Sequence, residues 1–442
     1  MKPANSRRIL SLALPLILQQ LCLQMQIWID RAMLGHVNAA FFSAIGNTTV
    51  PYQMVTSTIT AICGGTAILV AQGIGAGDHW QVRETAESSF LGSALLSAAA
   101  FVFFLFFSRP LFQIMGLQSP ILEYSTSYIR ILSFSLLVLG PVASATAILQ
   151  GLGFTKIIMT AGLVGNVLNI LLDWLLIFGK FGLPAMGLEG AALATVLANF
   201  AAAPMTILFV LRNPQMPVKL QLRTSLSEQL KGYGRVLRLG IPSGLEHALW
   251  SVGNLIMVSF LNRLDMMSAG IYTLVFSIET VPLLIYMGFA NAGLTLVGQE
   301  TGANDPERAR RTGFLCLGFS LIICLVVAVL FRAFPRQLLT PFTDDVYILE
   351  TAAPYLKFMA WILFPKAVNN VIGLCIRGMG DTRWMLFTQI FGTLFMICGG
   401  YVLILGTGLG LYGIFLTLLA DEALRSIANT LRFRFGKPRK ST

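Results

Sequence analysis

Charge is scarce in this chain. Asp, Glu, Lys and Arg make up 12% of its 442 residues, against 55% hydrophobic ones, whereas a soluble protein needs roughly 25% charged residues to cover its surface. That shortage excludes a string of water-soluble domains, and a mean hydropathy of +0.74 points the same way. Histidine is scarcer still, and His36, His79 and His247 are too far apart in sequence to suggest a metal motif. The six cysteines (Cys22, Cys63, Cys316, Cys324, Cys375, Cys398) fall in apolar stretches without metal-ligand or disulfide spacing, so they read as packing residues. Nucleotide chemistry is also missing. Gly73-Ile-Gly75-Ala-Gly77 resembles a phosphate loop, but no strand precedes it and no Gly-Lys-Ser/Thr follows. The net charge of +11 does not signal nucleic acid, because the basic residues flank apolar segments. Neither an enzyme nor a cofactor is expected.

Long apolar runs are what the chain has. About 20 residues cross ~30 Å of hydrocarbon, and such runs lie near 9–33, 44–72, 89–108, 127–150, 157–179 and 187–211. A second set lies near 236–261, 269–298, 312–332, 351–376, 384–406 and 409–431. The expected fold is an all-α polytopic membrane protein of about twelve transmembrane helices in two pseudo-symmetric six-helix lobes. The lobes are 1–211 and 236–442, the latter with a short basic tail, joined by a basic connector at 212–235. The N-terminal run resembles a signal peptide but continues through Gln19, Gln20, Gln24 and Gln26 to Asp30 without a small-residue cleavage site, so it reads as the first span. Lys and Arg gather at Lys2, Arg7, Arg8, Arg83, Lys156, the connector, Arg308, Arg310, Arg311, Arg377, Arg383 and the tail. The opposite loops carry little beyond Arg109, Lys180, Arg263, Arg332 and Arg336. Positive-inside bias then puts both termini and the connector in the cytoplasm. Labelling from outside should therefore miss a cysteine placed at Arg223 and reach one placed at Asp344; external labelling at Arg223→Cys would reverse the orientation.

The two halves repeat at an offset of 227 residues. Pro15 recurs as Pro242, Gln72 as Gln299, Asp78 as Asp305, Arg109 as Arg336, and Gln150-Gly-Leu-Gly-Phe-Thr-Lys156 as Arg377-Gly-Met-Gly-Asp-Thr-Arg383. From Gly187 and Gly190, matching Gly410 and Gly413, the offset becomes 223. Because six is even, both copies share one orientation, the parallel-repeat plan of some transporters.

The copies differ in their acids. Asp30 has Met257 as counterpart, Asp173 has Gly400 and Asn169 has Met396. Intramembrane carboxylates are expensive and tend to be functional. Asn166, Asn169 and Asp173 lie three and four apart, on one helix face. At ~1.5 Å per residue, Asp30 and Asp173 fall at similar depth, with Thr195 of the sixth span nearby. Two acids, an amide and a hydroxyl could hold a proton or a sodium ion. Asp30 could instead pair with the adjacent Arg31. In the second half, Glu246 and Lys366 stand where the first has Gln19 and Leu139; they read either as a Glu246–Lys366 pair facing a central substrate cavity or as interfacial or structural residues, since long side chains snorkel. Asn166 is the third substrate-cavity candidate, or a helix-to-helix hydrogen-bonding residue.

At these residues the chain resembles the multidrug and toxic compound extrusion (MATE) family, over essentially its whole length. The matching pieces include Ile-Trp-Ile-Asp30-Arg-Ala-Met-Leu-Gly35-His, Gly-Asn166-Val-Leu-Asn169-Ile-Leu-Leu-Asp173-Trp and Gly190-Ala-Ala-Leu-Ala-Thr195. The resemblance implies two six-helix lobes in a V and antiport of organic cations or other amphipathic drugs against protons or sodium. It also implies a cation site at Asp30, Asn169, Asp173 and Thr195, in a multi-pass plasma or inner membrane protein that functions as a monomer. A sodium-driven branch of the family carries an Asp where this chain has Lys366, which moves the expected coupling to the first lobe. A lipid-linked oligosaccharide flippase of the same superfamily is the alternative; its pyrophosphate would need basic interior residues, for which Lys366 and Arg130 are the candidates. A non-transporting receptor or scaffold would not need acids confined to one lobe.

Overall fold

The computed structural model describes residues 6–35, 39–217, 219–220 and 226–436; His36, Arg223 and the basic tail from Lys437 lie outside them. Among the described residues every regular element is helical. In chain order they are α1 (Ser6–Gly35), α2 (Ala39–Ala76), α3 (His79–Ile114), α4 (Ile121–Ser133), α5 (Leu136–Leu152), α6 (Thr155–Phe178) and α7 (Gly187–Arg212). Then come α8 (Leu226–Leu264), α9 (Met266–Gly302), α10 (Pro306–Ala333), the short α11 (Pro335–Leu339), α12 (Val346–Gly378), α13 (Thr382–Gly400) and α14 (Leu411–Phe435). A six-residue π-helical turn, Tyr401–Gly406, extends α13. Ten residues of the sequence's basic connector, 226–235, are the opening turns of α8.

Nine of these helices are long and apolar enough to cross a membrane, and the pair α4 and α5, bent by 48° at a short break, makes a tenth. The remaining two long helices, α8 and α14, are less apolar: α8 carries Glu246, His247 and Asn254 in its longest apolar run, and charge interrupts that of α14. α14 alone carries Asp421, Glu422 and Arg425 mid-helix. All three are buried, so the helix hides its charge inside protein while exposing Leu424, Ile427 and Leu431. The bend between α4 and α5 has a local cause: Ser133 Oγ donates to Arg130 O at 2.7 Å and Ser135 Oγ to Leu132 O at 2.6 Å. Leu132 O also accepts the backbone N–H of Ser135 at 3.0 Å, so side-chain and backbone donors of the same residue tighten the turn at the break.

The repeat reappears as geometry. Asp78 and Asp305 cap α3 and α10, accepting from Gln81 N at 2.9 Å and Arg308 N at 3.0 Å. Arg109–Glu123 and Arg336–Glu350 are equivalent ion pairs, each 3.0 Å long. Gly153 and Gly380 occupy the left-handed region at φ +89° and +84°, ending α5 and α12 at equivalent turns. Four of the cysteines are buried as expected of packing residues; Cys22 is half-buried and Cys398, on the outer face of α13, is exposed.

The chain divides into two compact units. One comprises Leu18–Ile74 and Asp78–Gly244; the other comprises Met1–Ile17, Gly75–Gly77 and Leu245–Thr442. Each holds its own buried core, including Phe104, Phe112, Ile129 and Leu136 in the first and Tyr286, Leu356, Ile362 and Phe415 in the second.

Candidate functional site

The first unit encloses a cavity of about 440 Å³ between α1, α2, α4, α5, α6 and α7. Close backbone approaches create its polar wall. A Cβ on Gly162 of α6 would fall 2.8 Å from Gln19 Cγ of α1, and one on Gly190 of α7 would fall 2.7 Å from Leu176 O of α6. Glycine at both places lets the three helices close in, which carries their polar faces together.

Asp30, Asn166, Asn169, Asp173 and Thr195 all line this cavity. Asp173 is 1% exposed and Asn169 2%. The carboxyl groups of Asp30 and Asp173 face each other within hydrogen-bonding range. Asn169 Nδ2 reaches Thr195 Oγ1 at 3.4 Å, and Thr195 Oγ1 donates to Ala191 O at 3.0 Å. With the Asn169 amide turned over, its nitrogen lies 3.2 Å from Asp173 Oδ2. One oxygen of each acid, Oδ1 of Asp30 and Oδ1 of Asp173, is buried without a hydrogen-bond partner. An orphaned buried carboxylate oxygen costs free energy until a proton or cation meets it. The side chain of Arg31 is not among those described, so its pairing with Asp30 is outside the structure's reach.

Sequence reasoning missed Gln26. Its Nε2 lies 3.5 Å from Asp30 Oδ2 and hydrogen-bonds Asn169 Oδ1, bridging the two helices. The signal was present: Gln19, Gln26 and Asp30 are spaced seven and four apart and share one face of α1. Tyr52 and Tyr128 were also missed; both line the cavity, and Tyr52 Oη lies 2.6 Å from Ser135 Oγ at the α4–α5 bend.

The second-half candidates lie elsewhere, in the second unit. Lys366 Nζ is 2.8 Å from Glu279 Oε2 of α9, and Glu246 Oε2 is 2.7 Å from Arg377. The expected Glu246–Lys366 pair is therefore not formed. Its failure has a physical reason: α12 packs along α9, so the ammonium meets the α9 carboxylate before it could reach α8. Glu246 and Lys366 are both buried, and neither lines the large cavity. The counterparts of Asp30 and Asp173 do meet: a Cβ on Gly400 would lie 2.6 Å from Met257 Cε, so the same position in the second unit is apolar and full.

Comparison with known proteins agrees with the duplicated plan. The MatE family model matches residues 15–175 and again 242–402, at the offset of 227 seen in the sequence. The chain is similar to the probable multidrug resistance protein NorM of Thermotoga maritima, 27% identical over 442 residues, covering 98% of this chain and 93% of that protein. It is 26% identical to the probable NorM of Pseudomonas aeruginosa, covering 98% and 90%. A solved structure described as the outward-facing conformation of a multidrug resistance MATE family transporter of the MOP superfamily superposes with a TM-score of 0.89. It is 22% identical, with 97% of this chain and 94% of that chain covered. The twice-matched model covers well over half of the residues, and the chain belongs to the MatE family of multi-pass membrane transporters.

Proposed function

We propose that the protein is a secondary active antiporter that exports organic, cationic or amphipathic molecules across a plasma or inner membrane by alternating access, in exchange for protons. One observation carries this reading: among the described residues, the only charged side chains lining the 440 Å³ cavity are the acids Asp30 and Asp173. That volume suits a drug-sized molecule, and the charge suits a cation. Multidrug resistance in the names of the relatives supports an export role.

Asp30, Asn169, Asp173 and Thr195 form the cation-coupling site in this reading, and Asn166 contributes to the substrate wall. The halves 1–211 and 236–442 are the two moving bodies, joined by 212–235, and the protein acts as a monomer with both termini in the cytoplasm. Coupling arises because the loaded and empty site favour different conformations; the ion shifts that equilibrium only as far as its affinity differs between them. Two carboxyls in hydrogen-bonding range need one positive charge between them, and a proton supplies it without further ligands. Sodium would need several oxygens converging at once. The flippase alternative is not favoured: no Lys, Arg or His lines the cavity among the described residues, Arg130 is exposed, and Lys366 is paired.

The test is drug efflux from proteoliposomes at fixed pH, with and without an inward sodium gradient, in the presence of an uncoupler. Efflux is expected to collapse in both cases. Sodium-dependent efflux that survives the uncoupler would overturn the proton assignment.

A further inference from the structure

The second unit contains a pocket of its own, of only about 20 Å³. Every residue lining it is the repeat counterpart of a residue lining the first-unit cavity. At the offset of 227, Trp250 stands for Leu23, Gly253 for Gln26, Lys366 for Leu139 and Met396 for Asn169; at 223, Leu418 stands for Thr195 and Arg425 for Ala202. The small pocket is thus the cavity's pseudo-symmetric twin, and side chains have filled it. Its residual volume holds about one water, so no organic molecule enters.

The filling is charged and internally matched. Lys366 Nζ meets Glu279 Oε2 at 2.8 Å and lies 4.9 Å above the Phe276 ring, while Tyr286 Oη donates to Glu279 Oε1 at 3.0 Å. Arg425 bridges two acids, 2.8 Å from Asp421 Oδ2 and 3.2 Å from Glu422 Oε1. Its Nη1 also donates to Gln389 Oε1 at 2.8 Å, and Asn369 Nδ2 donates to Glu422 Oε2 at 2.8 Å. Lys366 is 5% exposed and Glu279 1%. The contrast with the first unit is specific: Asp30 and Asp173 each keep a buried oxygen without a partner, and among the described residues Glu279, Asp421 and Glu422 do not.

We propose that Lys366 and Arg425 are permanently attached cations, filling the second unit's twin of the first-unit cavity so that this unit takes up no ion during the cycle. The proposal rests on the first-unit reading above and deepens it by making the cation stoichiometry a property of one unit. Replacing Lys366 removes the attached charge and leaves the Glu279 carboxylate buried with only a tyrosine hydroxyl, a costly arrangement that a free cation of the right size relieves. The three carboxylates outnumber the two cations by one, and the sodium measurement below reads whether that excess draws an ion in.

The experiment is thermal unfolding of the full-length protein in detergent, in sodium chloride against choline chloride at equal ionic strength. Asp173→Asn, which disables the first unit, should unfold at the same temperature in both salts. Lys366→Ala should unfold several degrees lower than wild type in choline and recover in sodium or methylammonium. Glu279→Gln/Lys366→Met, which removes both charges at similar volume, should regain stability and respond to neither cation. A sodium-dependent shift that persists in Asp173→Asn and vanishes on adding Glu279→Gln would overturn the proposal, as would a Lys366→Ala variant whose loss of stability no cation relieves. The Asp173→Asn arm decides the matter even if Lys366→Ala does not fold. Failure of the first-unit reading shows instead in the efflux of Asp173→Asn, which these unfolding measurements do not use.

Discussion

Asp173→Asn is expected to cut gradient-driven efflux by roughly 100-fold, toward the upper end of what coupling between two binding events is worth, while the protein stays folded and extractable. Asn keeps the shape of Asp and can still bond the Asn169 amide, so the packing of α6 against α7 survives. What it loses is the negative charge that faces Asp30, and with it the capacity of the buried group with the unpartnered Oδ1 to take up a proton or cation. Without that group the loaded and empty states no longer differ in affinity for the driving cation, and a gradient has nothing to act on. The measurement is initial efflux rate under an imposed gradient, set against the amount of monodisperse protein recovered. Efflux at the wild-type rate from Asp173→Asn would rule out coupling at the first-unit acids.

The second large effect is on folding. Gly140→Leu should be poorly recovered as folded protein, with a loss of about 3 kcal/mol, the high end for overpacking a close-packed interior. At Gly140, on α5, a Cβ would sit 2.1 Å from Ser93 O and 2.5 Å from Ser97 Oγ of α3. The first of these is backbone, so nothing local can rotate away; α3 and α5 would have to part. Helices in a bilayer associate through such small-residue contacts rather than through exclusion of water. Gly64→Ala is the control, since a Cβ there meets nothing within 4 Å. Equal recovery of Gly140→Leu and Gly64→Ala would refute the packing argument.

The spans and the duplication were legible in the sequence because both are one-dimensional signals. Apolar runs announce helices, and a register held from Pro15 to Lys156 announces a copied unit. The first-unit site was legible for the same reason: Asn166, Asn169 and Asp173 share a helical face, and the second copy lacks their chemistry. Glu279 was not. It lies on α9, 87 residues before the Lys366 it pairs with, and which of several helices an ammonium meets depends on helix rotation, which no spacing records. Arg425 with Asp421 and Glu422 was readable in part, being three and four residues apart on α14, but the hydrogen bonds that Gln389 of α13 and Asn369 of α12 make to this cluster were not.

The paired clasps Arg109–Glu123 and Arg336–Glu350 also carry a chronology. Exposed ion pairs contribute little to stability, so stability alone gives scant reason for both copies to hold the same one at the same spacing. Common descent gives a better reason: the clasp, the aspartate caps and the glycine turns were already present in a six-helix ancestor, before its gene doubled. Before the doubling, one gene encoded one kind of unit with one kind of pocket. Whatever differs between the halves, as gain in one or loss from the other, arose after the doubling, and the contrasts at Asp30, Asp173, Glu279 and Lys366 all belong to that later layer. Division of labour between the halves thus became available only once a single gene encoded both.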